Sequence, residues 1–290
     1  MDRRRFLSIA AGACVAMPAL AQTRTWSGHA LGAEASVTLT GPSAITDGAL
    51  REVRSILARM EATFSLYDPA SELSRLNARG GLTASPDMET VLAQAHLLHH
   101  ATEGLFDPTV QPLWQARARA EDERLATAAI GWDRVTLGAK IRLGRGQALT
   151  LNGIAQGYAT DQVANALKAR GFGDVLVNVG EFVGLGGPWQ VGMQDPKAGL
   201  VAALSLKDRA VATSSPRAML LGEGGHIFAP RHAAQWSTVS VEAPNAMLAD
   251  GLSTALCLAD ETQARRILSG LDSQITARFV DDKGRVLRLS

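Results

Sequence analysis

Polar and apolar positions alternate in Ala35-Ser36-Val37-Thr38-Leu39-Thr40, the period of two that predicts a strand with one buried face. From Asp47 the period lengthens. Leu50, Val53, Leu57 and Met60 recur every three or four positions, so an amphipathic helix follows. Ser85-Pro86 supplies an N-cap and a first-turn proline, and the helix they open is expected to run to about Gly104. A third helix fits Gln156 to Arg170, with Ala159, Val163, Ala164 and Leu167 on one face and Gly171 as its stop. Strands are expected at Val175 to Val179, Gln190 to Met193, Val201 to Leu206 and Thr238 to Val241. Two further helices cover roughly Ala246 to Leu258 and Glu261 to Leu271, and the chain closes in a hairpin turning at Asp282-Lys283-Gly284. Helices and strands mix without a strict βαβ beat, so an α+β fold is expected in place of a doubly wound sheet. No repeat, low-complexity tract or extended linker divides residues 22–290, which read as one domain.

Composition adds limits to this picture. Of 290 residues, 46% are hydrophobic and 20% charged, ample for a buried core and incompatible with a disordered chain. The 29 basic and 28 acidic residues nearly cancel, so no strong field advertises a nucleic-acid or membrane-surface partner. Binding energy must come from a pocket. Residues 1–21 stand apart: Arg3-Arg4-Arg5 precede an apolar stretch from Phe6 to Ala16 and then Ala19-Leu20-Ala21, the layout of a cleavable signal peptide. The paired arginines followed by Arg5-Phe6-Leu7 are similar to a twin-arginine export signal, with Asp2 where Ser or Thr is usual, and imply a periplasmic protein. Lipoprotein anchoring at Ala11-Gly12-Ala13-Cys14 is the alternative, with Ala11 in place of the expected leucine. Cleavage after Ala21 removes Arg3, Arg4, Arg5 and Asp2 from the 29 basic and 28 acidic residues, leaving 26 and 27. It also leaves a single cysteine, Cys257, whose apolar surroundings read as those of a buried, inert thiol.

Familiar catalytic signatures are missing. There is no G-x-G-x-x-G between a strand and a helix, no G-x-x-x-x-G-K-[ST], no G-x-S-x-G, no H-E-x-x-H and no C-x-x-C. Polar clusters set in apolar sequence stand out instead: Ser65 to Asn77, Gly104 to Leu113, Leu151 to Asp161, Ala212 to Ser215 with Gly225 to Arg231, and Ala249 to Ala255. In the last, Asp250 and Thr254 lie four positions apart and share one helix face, with Ser253 beside them. Hard oxygens of this kind suit Mg²⁺, which takes one or two protein carboxylates and completes its octahedron with water and substrate phosphate. Taken alone, Asp250 also reads as a first-turn residue favoured by the helix dipole, and Thr254 as a half-buried filler.

In order, and over nearly the whole mature chain, these clusters resemble the ApbE family, the FAD:protein FMN transferases of the bacterial cell envelope. The resemblance implies a compact, T-fold-like α+β domain with mixed or antiparallel sheets and packed helices. It implies a Mg²⁺-dependent enzyme that takes FAD as substrate, breaks its pyrophosphate and joins FMN through a phosphoester to a Thr or Ser of an acceptor flavoprotein, releasing AMP. The implied metal set is the Gly153 carbonyl with Asp250, Ser253 and Thr254. The implied flavin-nucleotide contacts begin with Leu31, where the family usually has Met, and Tyr67, a flat ring with a polar tip suited to stacking. They continue with Leu105, Phe106 and Asp107, although Asp107 before Pro108 also reads as a turn former. Thr150 stands where aspartate is common and Gln156 where the family has a lysine. Thr213 and Ser214 match the T-S of a T-S-G string whose glycine is Ser215 here and are implied substrate contacts, and Phe228 matches an apolar flavin contact. His226 corresponds to a family histidine and is suited to act near neutral pH as a base toward the acceptor hydroxyl. Ala229 replaces an aspartate, and Glu181 replaces the second glycine after Gly180.

Loss of charge at Thr150, Gln156 and Ala229 keeps open a second reading, an FAD-binding maturation accessory without transfer chemistry, and the same implied metal site would also serve an FAD pyrophosphatase giving FMN and AMP. The Gly153-Ile154-Ala155-Gln156-Gly157 string is also similar to a subset of the family associated with nitrous-oxide reductase maturation. That likeness implies an acceptor in an envelope electron-transfer system.

Overall fold

The computed structural model describes residues 23–40, 43–138, 140–222, 224–230 and 232–290. The signal peptide expected at 1–21, and with it the lipoprotein alternative at Cys14, lies outside the described residues.

Strands β1 (Thr23–Ala30) and β2 (Ala33–Thr40) form a hairpin whose two-residue turn, Leu31-Gly32, takes positive φ at both positions, 50° and 79°. That is the geometry which matches the twist of the flanking strands. Helix α1 (Ser43–Phe64) begins ahead of Asp47, because Thr46 is already buried against the core that Val53, Leu57 and Met60 continue. A helix not anticipated from the pattern, α2 (Glu72–Arg79), lies inside the first polar cluster. The Ser71 hydroxyl caps it by accepting from the Ser74 amide at 3.1 Å, and Gly80 ends it at φ 69°. Strand β3 (Gly81–Leu82) leads to α3 (Pro86–Ala101), which Ser85 caps as expected and which ends before the left-handed pair Glu103-Gly104. Short helices α4 (Gln111–Arg119) and α5 (Arg124–Ala129) follow, then β4 (Ile141–Arg142), which pairs with β3.

Helix α6 (Ala155–Ala169) opens the half that carries most of the sheet: β5 (Val175–Val179), β6 (Phe182–Leu185), β7 (Trp189–Asp195), β8 (Gly199–Leu206) and β9 (Arg209–Ser214). A small hairpin of β10 (Leu220–Leu221) and β11 (Gly224–Gly225) precedes β12 (Thr238–Ala243), α7 (Ala246–Leu256) and α8 (Glu261–Ser269). The closing hairpin joins β13 (Thr276–Val280) to β14 (Val286–Leu289), as the Asp282-Lys283-Gly284 turn foretold.

Eight strands make the main sheet in the order β1-β2-β5-β6-β9-β12-β13-β14. Every pairing in it is antiparallel. Side chains alternate across it as a pleated sheet requires. Val175, Val177, Ala210, Ala212, Val239 and Val241 join the core formed with the helices. Leu176, Phe182, Val211 and Val280 point the other way, into a second core closed by the separate β7-β8 hairpin with Trp189, Val191, Met193, Leu204 and Leu206. The sheet is therefore covered on both faces, and its helix side carries α6 in contact with both α1 and α7.

Candidate active site

Two helices meet at a glycine. A Cβ placed on Gly157 of α6 would stand 2.6 Å from the carbonyl carbon of Ala246 at the start of α7 and 2.8 Å from Cβ of Asp250, so only glycine lets the helices approach this closely. The approach brings the Asp250 carboxylate to the N-terminus of α6, where its Oδ2 accepts the Gly157 amide at 3.0 Å. An anion there satisfies an otherwise orphan first-turn donor and meets the positive end of the helix dipole. It also diverts the Gly157 amide from the Gly153 carbonyl four residues back, and that carbonyl accepts no hydrogen bond among the described residues.

Thr254, one turn beyond Asp250, faces the same bend: a Cβ on Gly153 would lie 2.8 Å from its Oγ1. Gly153, Asp250 and Thr254, read from the sequence as one oxygen-rich set, are thus brought together by the fold. Ser253 takes a different part from the one expected. It is fully buried, donates to the Asp250 backbone carbonyl at 3.0 Å and pairs with Ser214 Oγ at 2.8 Å, so its hydroxyl is committed to bracing α7. Ser214 also lies 3.3 Å from Thr254 Oγ1, which makes it, and not Thr213, the β9 side chain on the α7 face. Thr213 stands on the opposite face, bonded at 3.0 Å to its cross-strand partner Ser240.

Three acidic side chains gather at this junction, Asp250 and Glu181 buried and Asp161 half-buried. Asp161 caps α7 by accepting the Ala246 and Met247 amides at 2.8 and 2.9 Å, and burial pushes its carboxyl up to about 6. Burial pushes Asp250 up to about 7, opposed by the Gly157 bond and assisted by the charge of Asp161. Glu181 is driven well above the usual carboxylate range by burial and by Asp250. None of the three has a Lys, Arg or His salt-bridge partner among the described residues. Buried carboxylates without a counter-charge are costly, and a hard cation among these oxygens relieves that cost.

The remaining expected residues surround this centre to different degrees. Gln156 donates its amide to the Leu31 carbonyl at 3.2 Å, which ties the β1-β2 turn to the start of α6, and the Leu31 amide donates to Glu61. Thr150 donates its backbone amide to Pro108 at 2.9 Å, joining the second polar cluster to the third. Leu105 and Phe106 are core residues; the Phe106 amide and carbonyl bond to Thr102 Oγ1 and to His99 Nδ1. Asp107 is the turn former of the two readings, accepting from the Thr109 amide and hydroxyl at 2.8 and 2.6 Å. Tyr67 is 78% exposed on the loop after α1, a free ring face with no described contact to the carboxylates.

His226 follows the β10-β11 hairpin. Its Nδ1 lies 2.8 Å from the Pro216 carbonyl and 3.3 Å from that of Met219, so Nδ1 carries the proton and Nε2 is left with the lone pair. Burial holds the ring below its ordinary value of 6.5, which keeps it neutral at pH 7. Pro216 is two residues past Ser214, so the histidine is anchored to the loop that leaves the oxygen cluster. Phe228 is buried beneath the guanidinium of Arg117, 4.1 Å from its ring centre.

Asp161 and the burial of Glu181 were not singled out from the sequence. The signal available was Glu181 itself, an acidic side chain within Val177 to Val183 and therefore either paired or turned toward a ligand.

The model of the ApbE family matches residues 31–279. A Haemophilus influenzae protein named FAD:protein FMN transferase is 29% identical over 281 residues, spanning 82% of this chain and 80% of that one. A Rhodobacter capsulatus protein of the same name is 30% identical over 273 residues, spanning 83% of this chain and 52% of that one. Among solved structures, the flavin transferase ApbE from Vibrio cholerae superposes with a TM-score of 0.81 at 24% identity, over 93% of this chain and 98% of that one. The apo flavinyl transferase ApbE of Pseudomonas stutzeri gives 0.80 at 24% identity, over 94% and 96%. At that identity the two structures bear on the fold.

Proposed function

This chain belongs to the ApbE family and transfers FMN from FAD to an acceptor flavoprotein; we propose that it does so around a Mg²⁺ held by the Gly153 carbonyl, Asp250 and Thr254. The observation that carries the metal assignment is the meeting of these three at the start of α6, with a buried carboxylate that no cationic side chain neutralises. The donors are all hard oxygens, one of them a carboxylate, which fits Mg²⁺. When bound, the ion neutralises diphosphate charge and aligns the reacting phosphorus.

Around it the chain's own groups divide the work. His226 Nε2 accepts the proton of the acceptor Thr or Ser hydroxyl, and Nδ1, fixed on the Pro216 carbonyl, sets the ring's orientation and tautomer. The hydroxyl oxygen forms its bond to the FMN phosphorus as the bond to the bridging oxygen breaks, and AMP leaves with that oxygen. Tyr67 supplies a stacking face, and Phe228 under Arg117 an apolar wall. Gln156 holds the Leu31 turn and brings no positive charge to the phosphates.

Arg3-Arg4 and the apolar stretch behind them support export to the periplasm, and the Gly153 to Gly157 string supports an acceptor in an envelope electron-transfer system linked to nitrous-oxide reduction. No helix among the described residues is long and apolar enough to cross a membrane.

The test is incubation with FAD, Mg²⁺ and an acceptor flavoprotein domain, read by in-gel fluorescence and by AMP release. Covalent flavin with equimolar AMP is expected. Free FMN with AMP identifies a pyrophosphatase, and FAD bound without AMP an accessory; either result overturns the transfer mechanism.

A further inference from the structure

Glu181 has no part in the metal set of Gly153, Asp250 and Thr254, yet it is buried beside it. It occupies the turn between β5 and β6, is 6% exposed, and its carboxylate interacts with the charge of Asp250. Oε2 accepts the Thr213 amide at 3.0 Å, which fixes the end of β9 where Ser214 meets Ser253 and Thr254. Oε1 accepts no hydrogen bond among the described residues, and neither does Oδ1 of Asp250. Two buried carboxylates that repel each other, each with one uncommitted oxygen, are stable together when a divalent cation balances their two charges. A second carboxylate lessens the dependence of such an ion on charge from substrate phosphate, with water completing its shell.

Resting on the cation pocket of the proposed function, we propose that Glu181 supplies its second carboxylate, so that the pocket takes a divalent ion before the dinucleotide arrives. The rival role is that of a strut which only tethers Thr213. Glu181→Gln separates the two, since the amide oxygen still accepts from Thr213 while the charge is gone. Glu181→Asp is the converse, keeping the charge on a shorter stem.

The experiment is titration of the full mature chain with Mn²⁺, read by the loss of the free aquo-ion signal in electron paramagnetic resonance, with and without FAD. Wild type and E181D are expected to bind Mn²⁺ without FAD. E181Q is expected to bind at least about tenfold more weakly, the scale on which residues supporting a metal site act, and to regain affinity when FAD is added. E181Q binding like wild type, or E181D failing as badly as E181Q, overturns the proposal. So does wild type that takes Mn²⁺ only with FAD, an arm that decides even where a variant does not fold. FMN transfer by that same wild-type preparation would leave the proposed function intact; neither transfer nor Mn²⁺ binding in the presence of FAD would remove both.

Discussion

Gly157→Ala sets local helix preference against tertiary packing, and the structure says which prevails. In an open helix the change would stabilise by about 1 kcal/mol, because glycine loses more backbone entropy than alanine. Here the new methyl would lie 2.6 Å from the Ala246 carbonyl carbon and 2.8 Å from Cβ of Asp250. Carbon atoms rest about 3.5–4.0 Å apart, so α6 and α7 must separate by roughly 1 Å. Overpacking of this kind costs about 1–3 kcal/mol. Weakening the charged Gly157 to Asp250 hydrogen bond adds up to about 1.5–3 kcal/mol. The balance is a loss of about 2 kcal/mol, which lowers Tm by roughly 4–8 °C in a chain of this size. Gly48→Ala in α1 is the control, since its Cβ would meet only arginine side-chain nitrogens at 3.7 and 3.8 Å, an ordinary contact. Thermal unfolding followed by far-UV circular dichroism, in chelator, should show G48A at or above wild type and G157A clearly below. A G157A melting point equal to the wild-type value would refute the close-approach reasoning.

Three further outcomes follow from the site. Asp250 titrates near 7 in the fold against an ordinary 3.8, so the folded state holds the extra proton and metal-free stability falls as pH rises from about 4 to about 7. Asp250→Asn should flatten that decline in chelator-treated protein and abolish transfer; a melting profile unchanged across the range would contradict the burial of its charge. His226→Ala should slow single-turnover transfer by about 10²–10⁴-fold with FAD affinity little altered. Since burial keeps the ring below 6.5, the wild-type rate should decline only on the acid side of that value. Tyr67→Ala should weaken FAD binding on the order of tenfold, the scale of one lost stacking contact, and Tyr67→Phe should preserve it; fluorescence titration with FAD distinguishes these from an idle surface ring.

What the sequence made readable was whatever has a period or a cap. Val53, Leu57 and Met60 announced α1, and Ser85-Pro86 fixed the start of α3. β1 escaped notice because seven of its eight residues are exposed or half-buried at the sheet edge, which leaves little apolar alternation. α2 is short and sits among serines, one of which proves to be its cap. The meeting of Gly153, Asp250 and Thr254 was legible because Asp250 and Thr254 share a helix face and Gly153 belongs to a recognisable string. The division of labour between neighbours was not readable: Ser253 and Ser214 are braces, and Thr213 lies on the far side of β9. Which of two adjacent hydroxyls faces a pocket depends on strand register, and register is fixed by partners 27 and 39 residues away.

The bond between Gly157 and Asp250 spans 93 positions of the chain, and the one between Gln156 and Leu31 spans 125. An amino-terminal fragment that stops short of α7 lacks the Asp250 and Thr254 oxygens that meet Gly153, and a carboxy-terminal fragment without the first hairpin lacks the Leu31 carbonyl that Gln156 holds. Catalytic competence therefore requires contacts between distant parts of the polypeptide. Flavin transfer becomes a readout of complete assembly, and a chain carried across a membrane already folded would arrive ready to work.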